Sequence, residues 1–81
     1  MVMGKVVGHI VSTKKQETLV GYKILEVRLI ENQRETDKYL VAVDTVGAGI
    51  GEIVLITTGS GARKAAREEA PVDAVVIGIV D

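Results

Sequence analysis

Eighty-one residues with ten basic and eleven acidic side chains, a net charge of −1 and no cysteine leave room for a single domain. The charge balance offers no positive field to attract nucleic acid or an anionic membrane. Without thiols there are no disulfides and no cysteine-ligated zinc, and His9, the lone histidine, is too little for a conventional zinc site.

Lys5 to Thr13 is β-branched and uncharged after its first residue, which predicts a first strand with a buried face. Lys14 to Gly21 is polar apart from Leu19 and Val20 and reads as a connection. Lys23 to Ile30 alternates, with Leu25, Val27 and Leu29 on one face and Glu26 and Arg28 on the other. Glu31 to Lys38 reads as a charged, exposed hairpin loop. Tyr39 to Val43 and Ile53 to Thr58 are two further strands, separated by an acidic, glycine-punctuated turn from Asp44 to Glu52. Ser60 to Ala70 is the one segment with helical character, capped by Ser60 and stopped by Pro71. Asp73 to Val80 is a last apolar strand, with a bend or bulge expected near Gly78. Five short strands and one helix between the fourth and fifth favour a small, mainly β, closed barrel.

The N-terminal run is broken by Gly8 and His9 and lacks the form of a signal peptide. Val75 to Val80 is too short to span a bilayer, so a cytoplasmic chain is expected. A domain of this size buries only about 60–65% of its unfolded surface. Yet 47% of its residues are apolar and its mean hydropathy is +0.28. Burial against further copies reconciles the two.

The glycine-rich segments carry little chemistry. Neither Gly47-Ala48-Gly49-Ile50-Gly51 nor Gly59-Ser60-Gly61 ends in the Gly-Lys-Ser/Thr of a phosphate-binding loop. Both also lack the third glycine of a dinucleotide fingerprint. A structural turn is the better reading, and Gly47, Ala48 and Gly49 are small enough for close approach between subunits or near a symmetry axis. Asp44, at the start of this turn, fits a carboxylate bonded to nearby backbone amides.

Ser60 to Arg63 could alternatively form a small anion site at a helix start. In a helix over 60–70, Arg63 and Lys64 would lie near the positive end of the dipole and Glu68 and Glu69 near the negative end. That order is unfavourable, so Arg63 is expected to find a partner outside its helix, such as a carbonyl or the Asp44 carboxylate. No nucleophile, base and orienting group can be assembled, so no enzyme is read. Two tyrosines without Phe or Trp are too few for a single-strand stacking surface.

Taken together, six segments resemble the EutN/CcmL-type vertex proteins of bacterial microcompartments, carboxysomes among them. They are Gly8 with Ser12-Thr13 and Lys15; Leu19-x-Gly21-x-Lys23-x-Leu25-x-Val27; Ala42-Val43-Asp44-Thr45-Val46-Gly47-Ala48-Gly49; Gly51-Glu52-x-Val54-Leu55; Gly59-Ser60-x-Ala62-Arg63; and Asp73-x-x-Val76-x-Gly78-Ile79-Val80-Asp81. Many members continue a few residues beyond the position of Asp81, and Gly61 stands where a second small polar residue is usual, loosening the helix start. The resemblance implies a barrel like the oligonucleotide/oligosaccharide-binding fold, a homopentameric ring and a role at shell vertices. Hexameric shell proteins would be its partners, and no cofactor is implied. Asp44, Gly47, Ala48, Gly49, Ser60 and Arg63 are the candidate residues for the subunit interface or an axial pore.

Overall fold

The computed structural model describes residues 1–66 and 71–81. Five strands, β1 (Val2–Ile10), β2 (Lys23–Glu31), β3 (Arg34–Asp44), β4 (Ile53–Thr58) and β5 (Ala74–Val80), close a barrel in the order β1-β2-β3-β5-β4. A short helix, α1 (Ser60–Ala65), lies between β4 and β5. The expected barrel and helix position are therefore both present. All neighbouring strands run antiparallel except β3 and β5, which are parallel and share the rungs Val43–Val75 and Asp44–Val76.

Alternation along each strand fills the interior. Val6, Leu25, Val27, Val54, Ile56 and Val76 are fully buried, with Leu40 and Ile79 packed against them. Each such side chain contributes about 1.5–3 kcal/mol on leaving water. Gly4 faces the same interior, where a Cβ would meet Val27 Cγ1 and, at 2.8 Å, the Arg28 carbonyl oxygen. Outside the barrel a second cluster joins Ala62 of α1 to Val43 and Val75. Alanine at that point lets the helix sit close to the sheet.

Four local expectations need correction. First, β1 spans Val2–Ile10 rather than Lys5–Thr13, because Gly4 and Val6 supply its inward face and pair with Leu29 and Val27 of β2. Second, Glu31–Lys38 is mostly strand, and the turn is only Asn32-Gln33, with φ of 53° and 64°. Positive φ at both central residues is the hairpin geometry that matches strand twist. The charges were misleading, since this end of the ribbon is solvated on both faces. A bulge in β3 opposite Leu29 is held by Thr36, whose Oγ1 donates to the Leu29 carbonyl at 2.8 Å and accepts from the Lys38 amide at 3.1 Å.

Third, α1 ends at Ala65, and Ala66 is extended with φ −96° and ψ −179°; the remainder of the expected helix, 67–70, lies outside the described residues. Fourth, Gly59 rather than Ser60 is the N-cap, and no side chain caps the helix. The bulge expected near Gly78 is present: Leu55 pairs with Gly78 and Ile56 with Val76, leaving Ile77 without a partner on β4.

Candidate functional site

The acidic turn is a folded plug across one end of the barrel. Asp44 is 8% exposed, and its carboxylate accepts three amides of the turn: Val46 at 3.0 Å and Gly47 at 3.2 Å on Oδ1, and Ala48 at 2.8 Å on Oδ2. This is the carboxylate-capped turn that the sequence suggested. Farther along, the Gly49 amide donates to Glu52 Oε1 at 2.6 Å. The Gly51 amide donates to the Val6 carbonyl at 2.8 Å, and the Val6 amide to the Glu52 carbonyl at 3.0 Å. Lys23 Nζ, from the start of β2, donates to the Ala48 carbonyl at 2.7 Å. Thr45 Oγ1 bonds the Val76 carbonyl at 2.8 Å, tying the turn to β5.

These bonds assign the small residues different tasks. Gly47 and Gly51 have φ of 83° and 92°, which the chain's reversals require. Ala48 is wholly buried and belongs to the core of its own barrel. Its small side chain closes the barrel end rather than clearing space for another subunit. The outer surface of the turn is apolar instead, with Val46 and Ile50 at 41% and 63% exposure. Sequence reading passed over these two residues, although their position between glycines in an otherwise polar turn was a usable signal.

At the helix, Ser60, Arg63, Lys64 and Ala66 line a surface depression. Among the described residues, no hydrogen bond or ion pair within the chain engages Arg63. The dipole argument for an outside partner loses its basis, since Arg63 and Lys64 fall in the last turn of a six-residue helix. Cations suit that end. Gly61 does not loosen the helix start; a Cβ there would meet Thr57 Oγ1, so the glycine lets α1 rest on β4. Asp44 and Arg63 are not brought together within one chain, because the Asp44 carboxylate is satisfied by its own turn.

Charged residues elsewhere form a surface network on the outer faces of β1, β2 and β3. Arg28 lies 3.7 Å from Glu35 and 3.6 Å from Asp37, and its guanidinium sits 5.3 Å from the Tyr39 ring centre. Its Nε donates to the Thr36 carbonyl at 2.7 Å. Such exposed pairs contribute about 0–1 kcal/mol each and steady the ribbon rather than build a reactive site. Among the described residues, no group of His, Asp and Glu could hold a metal ion.

Comparison with known proteins is consistent along the whole chain. The family described as ethanolamine utilisation protein EutN/carboxysome matches residues 1–81. The chain is 49% identical over 83 residues to the bacterial microcompartment shell vertex protein GrpN of Rhodospirillum rubrum, covering all of this chain and 93% of that one. The solved structure of CcmL from Gloeobacter violaceus superposes with a TM-score of 0.95 at 48% identity, covering 100% of this chain and 86% of that one. The pentameric GrpN structure from Rhodospirillum rubrum gives a TM-score of 0.91 at 46% identity, with coverage of 100% and 94%. A closed barrel with its plugging turn and outer helix, matched in sequence from end to end, makes this chain a member of the EutN/CcmL family.

Proposed function

We propose that five copies of this chain close into a ring that occupies the vertices of a polyhedral microcompartment shell. The observation that carries this reading is the 49% identity to a shell vertex protein over the full length of the chain. The exposed apolar side chains support it, because Val11, Ile50, Val20 and Val41 are 86%, 63%, 55% and 51% exposed. An apolar surface of this extent on so small a domain points to interaction surfaces. The role is geometric: flat sheets of hexagonal units need five-fold units at their corners in order to close. On this reading the chain works in the cytoplasm, in the shell, beside hexameric shell proteins. The exposed backbone of Gly47 and Gly49, together with Ser60 and Arg63, remains available for contacts with neighbouring subunits.

Native mass spectrometry at micromolar concentration tests the ring, with a pentamer expected. A monomer or dimer would refute it, and a hexamer would remove the vertex role. Co-expression with hexameric shell proteins tests the location. Closed polyhedra are expected with this chain, and open sheets or tubes without it.

A further inference from the structure

Two apolar surfaces lie on opposite sides of the barrel. The first is a ridge. Ile30, Met3, Leu55 and Gly78 occupy one continuous cross-strand row through β2, β1, β4 and β5. The row faces outward, because its neighbours along each strand, such as Gly4, Val54 and Ile56, are buried inside. Leu55 lies over Gly78, its Cδ1 3.7 Å from where a Cβ would stand, and is 36% exposed. The second surface is a groove lined by Leu19, Ile24, Val41, Pro71, Val72 and Asp73. Val41 is on β3, which the strand order places directly across the barrel from the β1–β4 pair.

We propose that the ridge around Leu55 of one copy seats in the groove around Val41 of the next. This rests on the ring reading above and deepens it by naming the two faces that meet. A closed ring needs a heterologous contact between two different patches of one chain. A convex and a concave apolar surface on opposite flanks meet that requirement. Neither surface is complementary to itself, which disfavours a two-fold dimer. The flanking charges agree. Lys5 stands one rung from the ridge, paired in register with Ile53, while Glu26 is in register with Val41 and Asp73 lines the groove. Ridge to groove therefore sets a cation toward two carboxylates, whereas ridge to ridge would set Lys5 against its own copy.

The natural absence of cysteine allows a direct test. The double variant Val41→Cys/Leu55→Cys is treated with a short bis-maleimide and resolved on a denaturing gel, and its assembly is checked by native mass spectrometry. Both side chains point outward, so the barrel should fold, which circular dichroism verifies. The expected result is a ladder of covalent species ending at the ring size. Each single-cysteine variant should give no ladder, and a mixture of the two should give covalent dimers at most. A native pentamer whose double variant yields no more cross-linking than the single variants overturns the ridge-to-groove contact and leaves the ring standing. Covalent dimers from one single-cysteine variant alone would overturn it too, since that outcome requires an isologous interface. If the unsubstituted chain is a monomer, the ring reading fails and this contact fails with it.

Discussion

Asp44 and Ala48 form one closed unit: the Asp44 carboxylate accepts the Ala48 amide at 2.8 Å, and the Ala48 side chain points into a core from which water is excluded. The carboxylate thus holds the backbone that carries the plug. Removing either half leaves the other without its purpose.

Asp44→Ala strips the acceptor from the amides of Val46, Gly47 and Ala48. Hydrogen bonds to a charged partner contribute about 1.5–3 kcal/mol, and only part of the loss is recovered by water at a buried site. A destabilisation on the order of 2–3 kcal/mol is expected in chemical denaturation at fixed protein concentration. Asp44→Asn should lose less, since its carbonyl oxygen retains one or two of these bonds. Equal melting of the Ala variant and the unsubstituted protein would contradict this account.

Ala48→Leu is a change of core volume. No cavity beside Ala48 receives three more carbons, and overpacking costs about 1–3 kcal/mol. The barrel itself should loosen, seen as faster hydrogen exchange in β1 and β4 beside the plug. By contrast, Val46→Ser and Ile50→Ser alter exposed positions and should leave exchange in the barrel unchanged. Should Ala48→Leu abolish assembly while exchange stays at the level of the parent, the alanine would be an interface residue after all.

Gly4→Ala places a methyl group against Val27 Cγ1 and the Arg28 carbonyl. The carbonyl belongs to the sheet and cannot rotate away. The expected loss is again roughly 1–3 kcal/mol, read as a fall in melting temperature. Gly8→Ala is the matched control, because nothing lies within 4 Å of a Cβ at Gly8.

The sequence made much of this architecture legible because period-two burial is strong where it operates. Leu25 and Val27 against Glu26 and Arg28 predicted β2 with its faces in the right order. The glycine turn announced its reversal, and its carboxylate declared its own cap. Other features had no such signal. The inward role of Gly4 depends on Val27 across the sheet, and a glycine has no side chain to reveal which face it serves. The burial of Ala48 follows from the turn folding back over the barrel, a tertiary fact. Helix length was overestimated because alanine and glutamate carry propensity that tertiary packing need not use. The ridge and groove were also hidden, since each is assembled from segments far apart in sequence.

The hairpin at Asn32-Gln33 yields a prediction of opposite sign. Both residues hold φ above 50°, and glutamine has no special tolerance for that region, unlike asparagine, which is enriched there. A left-handed backbone costs an ordinary residue about 1–2 kcal/mol. Gln33→Gly creates Asn-Gly, the preferred pair for this turn, but glycine also gains freedom in the unfolded chain. The balance should stabilise the protein by about 0.5–1 kcal/mol. The side chain of Gln33 is exposed and makes no described hydrogen bond, so little packing is lost. Thermal melts of both proteins at one concentration give the answer, because assembly couples melting to concentration. A rise in melting temperature is expected with no change in ring size. A fall would mean that the Gln33 side chain makes contacts in the assembly that outweigh the relief of its backbone.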